Sequence, residues 1–147
     1  MGYEQDTVPR DGVQQGVVVV VHRAGRFLMI RRAAGVLAGG CWCFVGGAIE
    51  PGETQSEAVA REFAEELGSR ARPLRKIWEY TRPDGKLLLH WWLAEIGEEP
   101  LAPNELEVAE VRWCTPEAIE ALPEVLESNV HFVRGVGRRL VGTGTGE

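Results

Sequence analysis

The sequence lacks a hydrophobic run long enough to cross a membrane. The valine-rich run at residues 16–21 is far shorter than the roughly 20 residues that a membrane helix needs. The run also lacks the basic flank and the small-residue cleavage site of a secretory signal, because Glu4 and Asp6 precede it. We therefore expect a cytoplasmic protein that has no membrane partner.

Cysteine is scarce, and the net charge is not positive. The three cysteines are too few for a four-thiolate zinc site, and their odd number with Cys41 and Cys43 so close favours reduced thiols. The three histidines show no metal-ligand spacing and are interpreted as structural. The net charge of −6 argues against binding a nucleic-acid polymer through a broad basic surface. It does not exclude a small phosphorylated substrate, since bound cations can reverse the local field.

No repeat or internal linker interrupts the 147 residues, and a hydrophobic content of 44% suffices for one substantial core. The polar start, which contains both proline and glycine, and the glycine-rich end are expected to be flexible. The predicted organisation is a lead-in over residues 1–12, a single domain over residues 13–140 and a tail over residues 141–147.

Runs of β-branched and apolar residues predict the strands. Val13 to His22 and Phe27 to Ile30 flank a short turn, and together they predict a β-hairpin with buried strands. Further strands are predicted at residues 41–45, 74–81, 86–96 and 108–114. The two longest of these join through the Pro-Asp-Gly turn at residues 83–85.

The clearest helix is predicted over residues 54–67. Thr54 and Glu57 have the spacing of a capping box, apolar residues recur at three- and four-residue intervals, and Gly68 is placed to end the helix. A second helix should begin at Thr115-Pro116, and a third is predicted over residues 124–140. This order of elements predicts an α/β protein with a mixed β-sheet flanked by helices.

Three glutamates on the first helix carry the functional signal. Glu62 lies one turn from both Glu65 and Glu66, so the three carboxylates can converge on one point. Like charges at this spacing repel, and a cation between them, such as Arg61 or Mg²⁺, would relieve the repulsion. The alternative is an exposed acidic face. A glycine-rich loop at residues 45–47 precedes the helix and can bring backbone close to a ligand.

The segment from Gly47 to Ser69 resembles the Nudix box. That signature is G, five residues, E, seven residues and REUxEExGU, where U is a bulky aliphatic residue. Every charged and glycine position is filled at the right spacing. Phe63 stands at the first U, Ser69 departs from the last, and Val45 stands where the family usually has proline. The resemblance covers residues 13 to about 140 and implies an α/β/α sandwich.

Carried over by position, the resemblance implies roles for individual residues. The metal ligands would be the carbonyl of Gly46 and the carboxylates of Glu62, Glu65 and Glu66. They would hold Mg²⁺, with Mn²⁺ as the alternative. Glu53 and Arg61 would support the ligands, Arg61 through charge-assisted hydrogen bonds. The general base would be Glu62 or a residue of a later loop, either Glu107 or Glu110, of which Glu107 is preferred.

The implied reaction is attack of water on the diphosphate linkage of a nucleoside diphosphate derivative. A nucleoside triphosphate or modified nucleotide is the favoured substrate, and ADP-ribose or a nucleotide sugar is the alternative. A non-catalytic nucleotide-binding module on the same fold predicts a damaged glutamate set, which this sequence does not have. Whether the chain forms a homodimer stays open. The candidate substrate-binding residues are Arg31, Arg32, Trp42 and Gly47.

Overall fold

A computed structural model describes residues 12–141. The predicted flexible lead-in and tail therefore lie outside the described residues, apart from Gly12 and Val141. The strands are β1 (Gln14–Val20), β2 (His22–Arg23), β3 (Arg26–Arg32), β4 (Trp42–Cys43), β5 (Val45–Ala48), β6 (Ala71–Thr81), β7 (Leu87–Ile96) and β8 (Val108–Cys114). The helices are α1 (Gln55–Leu67), α2 (Pro116–Ala121), α3 (Glu127–Phe132), a π-helix (Val133–Gly137) and α4 (Arg138–Leu140).

The strands form two sheets. The first has the order β5-β1-β7-β6, in which β1 and β7 are parallel and the other pairs are antiparallel. In the second, β3 pairs antiparallel with β2, β4 and β8. The first sheet is therefore mixed, as the sequence predicts.

Alternate residues of β1 face two separate cores. Val17 and Val19 pack in the core that contains Phe63 of α1, whereas Val18 and Val20 pack in the core that contains Phe132 of α3. Successive side chains of a strand point to opposite faces, so the sheet is covered by helices on both sides. This arrangement confirms the expected α/β/α sandwich. The neighbouring tryptophans of β7 divide in the same way, Trp92 entering the first core and Trp91 the second.

The predicted hairpin between the first two long strands forms only at its tip, and the long strands themselves do not pair. β1 pairs with β5 and β7, and only the two-residue β2 pairs with the start of β3, through His22–Phe27 and Arg23–Arg26. Both β1 and β3 are buried on both faces, so each can lie inside a sheet, and apolar periodicity does not say which partner it takes. The predicted strand at residues 41–45 likewise divides at Phe44, because β4 and β5 belong to different sheets.

Helix α1 has the predicted ends. Thr54 Oγ1 accepts a hydrogen bond from Glu57 N at 3.1 Å, and Thr54 N donates to Glu57 Oε1 at 3.0 Å, which completes the capping box. At the other end Gly68 has a φ of 63° and donates its N–H to Ala64 O at 2.9 Å. The buried side of α1 includes Glu62 and Glu66 besides apolar residues, so this helix carries carboxylates into the interior.

The remaining predicted elements are confirmed with shifted bounds. β6 and β7 form the hairpin around the Pro-Asp-Gly turn, and Thr115 caps α2 with Pro116 in its first turn. The predicted third helix begins at Glu127 rather than Glu124, whose positive φ of 56° is not helical. It also contains a π-helical segment that the sequence did not indicate. Within residues 12–141, no helix is long and apolar enough to cross a membrane.

Candidate active site

An acidic pocket of about 230 Å³ lies between α1, β5 and two loops. The loops are residues 33–41, between β3 and β4, and residues 97–107, between β7 and β8. The pocket is lined by Arg32, Val36, Gly46, Gly47, Glu62, Glu65, Glu66 and Glu107. The structure therefore brings the predicted glutamates of α1, both glycines of the loop, Arg32 and the preferred base candidate to one place.

Arg61 links the glutamates to the loop that precedes α1. Its Nε and Nη2 donate to the two carboxylate oxygens of Glu53 at 2.6 and 2.9 Å, and Nη2 also donates to Ala48 O at 2.9 Å. Its Nη1 donates to Glu62 Oε2 at 3.0 Å and to Glu65 Oε1 at 3.2 Å. These charge-assisted bonds raise the pKa of Arg61 and lower that of Glu53. Arg61 thus donates hydrogen bonds to three carboxylates, and the supporting role that the resemblance implies for it stays a prediction.

Gly47 leaves the space that the Glu62 carboxylate occupies. A Cβ atom at this position would lie 2.2 Å from Glu62 Oε2 and 2.3 Å from Glu62 Cδ, far inside any ordinary contact. At Gly46, a Cβ atom would instead meet the backbone, 2.4 Å from Val17 O. The first glycine therefore permits the close approach of β5 to β1, and the second permits the approach of Glu62.

Glu66 is the most deeply buried carboxylate of the pocket. Glu66 is only 5% exposed, and its Oε1 has no hydrogen-bond partner among residues 12–141. Burial raises the pKa of Glu66 to about 9, with further contributions from contact with Glu62 and from the negative charges of Glu62 and Glu107. Burial also raises the pKa of Glu62, against the opposing effect of Arg61.

The carboxylates do not form a finished ligand set in this arrangement. Among residues 12–141, no group of three or more histidine, cysteine, aspartate or glutamate side chains has a geometry that could hold a metal ion. A physical reason is the position of Arg61 Nη1, which lies within hydrogen-bond distance of both Glu62 and Glu65 and holds these carboxylates. The metal-ligand roles of Gly46, Glu62, Glu65 and Glu66 therefore stay predictions.

Glu107 reaches the pocket from a loop that is attached to α1. Ala102 N donates to Leu67 O at 2.7 Å, Asn104 N donates to Glu66 O at 2.9 Å, and Glu107 N donates in turn to Asn104 O at 2.9 Å. The alternative base candidate, Glu110, pairs with Arg112 at 2.7 Å and with Arg31 at 3.4 Å, and it does not line the pocket. Of the two candidates, only Glu107 stands beside the other glutamates.

Two predicted substrate-binding residues lie elsewhere. Arg31 pairs with Glu110 on the neighbouring strand instead of lining the pocket. Trp42 is 3% exposed, packs in the core beside α3, and has the Arg112 guanidinium 4.6 Å from its ring centroid. Neither side chain therefore faces the acidic pocket, whereas the other two candidates, Arg32 and Gly47, line it.

A second cavity, of about 290 Å³, adjoins the first and is lined mainly by apolar residues. Arg32, Gly46 and Gly47 line both spaces. Its apolar lining includes Leu37, Leu87, Leu89 and Leu126, and its polar lining includes Asn129. Asn129 Oδ1 accepts a hydrogen bond from Phe44 N at 2.8 Å, which fixes the orientation of the amide. Sequence reasoning missed this cavity, because its apolar walls come from segments that are far apart in the sequence and, apart from Gly47 and Ala48, lie outside the Nudix box.

The fold and the pocket define an α/β/α protein with a carboxylate-bearing helix behind a glycine loop, and comparison with known proteins identifies its family. The family model of the NUDIX domain matches residues 12–135. The CTP pyrophosphohydrolase of Escherichia coli (strain K12) is 33% identical over 103 residues, which cover 69% of this chain and 75% of that protein. A putative 8-oxo-dGTP diphosphatase of Bacillus subtilis (strain 168) is 30% identical, over 70% of this chain and 66% of its own length.

Other relatives are longer than this chain. The NAD-capped RNA hydrolase NudC of Chromobacterium violaceum is 32% identical over 72% of this chain, which spans only 40% of that protein. Among solved structures, the MutT protein from Methanosarcina mazei Go1 has a TM-score of 0.75 at 21% identity, over 90% of this chain and 99% of that one. The E. coli ORF135 protein has a TM-score of 0.70 at 23% identity, over 95% and 100%. At these identities the two structures show the fold.

The chain belongs to the NUDIX family. It is a Nudix-type pyrophosphohydrolase, an enzyme that acts on acid anhydrides, and the family comprises hydrolases of nucleotide derivatives.

Proposed function

We propose that this protein is a Mg²⁺-dependent hydrolase that cleaves the diphosphate linkage of a nucleoside triphosphate or a modified nucleotide. The observation that carries the proposal is that the acidic pocket and the apolar cavity adjoin each other and share three lining residues. The acidic pocket suits a cation and a phosphate chain, and the apolar cavity beside it suits a nucleoside. Arg32 lines both spaces, and it would bind the phosphates between them.

Three features of the pocket fit a divalent cation. The buried oxygen Glu66 Oε1 has no partner among the described residues, and a buried carboxylate without a partner is costly unless a cation or a proton neutralises it. The facing groups are carboxylates and the Gly46 backbone, and such hard oxygen donors are the ligands that Mg²⁺ prefers. Because Gly47 has no side chain, the Glu62 carboxylate can lie against β5 in the pocket that Glu66 and Gly46 also line. Glu62, Glu65, Glu66 and Gly46 O would hold the ion, Mg²⁺ in preference to Mn²⁺.

The residues of this chain have separate tasks in the proposed reaction. A bound cation would neutralise charge on the phosphoryl oxygens and favour ionisation of the attacking water. Arg61 and Glu53 orient the ligand carboxylates, and Arg32 binds the phosphate chain. The proton of the water passes to a carboxylate, and Glu107 is the preferred acceptor because it lines the pocket without being one of the proposed ligands. Glu62 is the alternative acceptor.

The substrate proposal draws on similarity as well as on the cavities. Two of the relatives are named as hydrolases of a nucleoside triphosphate, CTP in one case and 8-oxo-dGTP in the other. ADP-ribose or a nucleotide sugar is the alternative substrate. The alternative of another class is a nucleotide-binding module without catalysis, which the complete glutamate set disfavours. We further propose that the enzyme is cytoplasmic and that it binds neither a membrane nor a nucleic-acid polymer. A homodimer is the oligomeric state to test, by measuring the mass of the protein in solution.

A substrate panel tests the proposed reaction, substrate and metal together. It comprises nucleoside triphosphates, oxidised nucleotides, ADP-ribose, nucleotide sugars, diadenosine polyphosphates and NAD-capped RNA, each with Mg²⁺, with Mn²⁺ and with EDTA. Chromatography identifies the products, and the double variant Glu65→Gln, Glu66→Gln serves as the control. We expect metal-dependent cleavage of a nucleoside triphosphate or modified nucleotide that the control variant loses. Nucleotide and Mg²⁺ binding without turnover of any compound would support the binding module instead.

A further inference from the structure

The loop of residues 33–41 borders both compartments of the site. Val36 lines the acidic pocket, whereas Leu37 and Ala38 line the apolar cavity. Although it lines a cavity, Leu37 is 87% exposed. A side chain with both properties stands at the mouth of the cavity, where a ligand would cover it.

The backbone on either side of Leu37 is specified by contacts. Arg32 Nε donates to Leu37 O at 2.6 Å, and Gly40 N donates to Arg32 O at 2.8 Å. Ala38 has a φ of 57°, which non-glycine residues rarely adopt, and a Cβ atom at Gly39 would lie 2.6 Å from Ala34 O. The loop is thus tightly folded, and its position is tied to an arginine that reaches both compartments.

Exposure of a single leucine needs no explanation in general, because much of any protein surface is apolar. Leu106 illustrates this point, since it is 82% exposed and lines neither of the two cavities. Leu37 differs from Leu106 in its place at the mouth of an apolar space and in the bond between its carbonyl and Arg32. The two leucines therefore form a matched pair for an experiment.

We propose that Leu37 is a specificity-determining residue, whose side chain packs against the nucleoside of the substrate at the mouth of the apolar cavity. This inference rests on the proposed function. The apolar part of the substrate would cover Leu37, so part of the nucleoside's affinity would come from removing this side chain from water. The phosphate chain, bound in the acidic pocket, would not depend on the side chain of Leu37.

The test compares Leu37→Ala, Leu37→Met and Leu106→Ala with the wild type, using the nucleotide that the panel identifies. The competitive inhibitor is inorganic tripolyphosphate at fixed free Mg²⁺, because it has phosphates but no base. We expect Leu37→Ala to raise KM about tenfold, the effect of losing part of one leucine contact, with kcat changed less than about twofold. Leu37→Met should restore most of the affinity, Leu106→Ala should match the wild type, and the inhibition constant of tripolyphosphate should be equal in all four proteins.

The outcomes separate the two proposals. A wild type that cleaves nucleotides and a Leu37→Ala variant with an unchanged KM would overturn the role of Leu37 and leave the proposed function intact. An equal loss of affinity for the nucleotide and for tripolyphosphate would also overturn it, because Leu37 would then act through the loop and Arg32. A wild type that cleaves no nucleotide would overturn both.

Discussion

The approach of Glu62 to Gly47 permits a quantitative prediction. In Gly47→Ala, the new Cβ atom would lie 2.2 Å from Glu62 Oε2, whereas ordinary contacts begin at 3.4 Å, so the carboxylate must move by about 1.2 Å. A displacement of about 1 Å at a reacting centre can lower a rate roughly 100-fold. We therefore expect kcat/KM to fall by about two orders of magnitude. The fold should persist, because the atom displaced belongs to a side chain and not to the backbone.

The assay measures kcat/KM with Mg²⁺ and, in parallel, the melting temperature. Gly135→Ala is the control, since a Cβ atom there would have, beyond its chain neighbours and the backbone of its own helix, no described heavy atom within 4 Å. Gly46→Ala provides the contrast, because its Cβ atom would lie 2.4 Å from the backbone oxygen of Val17 and should lower the melting temperature as well as the activity. Full activity in Gly47→Ala would refute the reasoning, since it would show that the observed place of Glu62 is not required.

Three more substitutions test other contacts. Arg61→Lys keeps the charge but loses the bidentate hydrogen bond to Glu53, so kcat/KM should fall roughly 10- to 100-fold. A variant with the kinetics and Mg²⁺ dependence of the wild type would contradict the orienting role of Arg61. Asn129→Leu leaves the buried Phe44 N–H without its acceptor and should cost about 1–3 kcal/mol in urea unfolding; an unchanged free energy of unfolding would contradict this role of Asn129. In EDTA, the pKa of Glu66 is raised to about 9 in the folded protein, so the wild type should lose stability as the pH rises from about 4.5 to about 9. Glu66→Gln removes the ionisable group, so its free energy of unfolding should rise relative to that of the wild type by on the order of a few kcal/mol between pH 5 and pH 8. If the free energies of unfolding of the two proteins instead change with pH in parallel, ionisation of the buried Glu66 is not the cause of the loss.

The site is predicted from sequence where its parts are close in the chain. Glu62, Glu65 and Glu66 share one helix face because of their spacing, and the capping residues fix where that helix begins. The place of Gly47 in front of the same helix follows from the turn between them. These contacts are local, so a motif is enough to specify them.

The contacts that sequence reasoning missed join distant segments. The partners of β1 are β5 and β7 rather than β3. Because β1 and β3 are buried on both faces, their sequences do not indicate which neighbouring strand each one pairs with. Trp42 was a candidate substrate-binding residue, yet it lies in the core that also contains Phe132, with the Arg112 guanidinium over its ring. The apolar cavity combines Leu37, Leu89 and Asn129 from three elements, and only the fold brings them together.

The attachment of the 97–107 loop to α1 has a consequence for variation among related sequences. The N–H groups of Ala102 and Asn104 donate hydrogen bonds to the last carbonyls of α1, and Glu107 lies three residues after Asn104. The position of Glu107 relative to Glu66 therefore depends on these bonds to α1 and not on the end of β7. The stretch at residues 97–100 lies before the first of these anchors and before Leu101, which packs against the core. Insertions or deletions there should therefore be absorbed without displacing Glu107, whereas a single-residue change of length between Asn104 and Glu107 should remove it from the pocket.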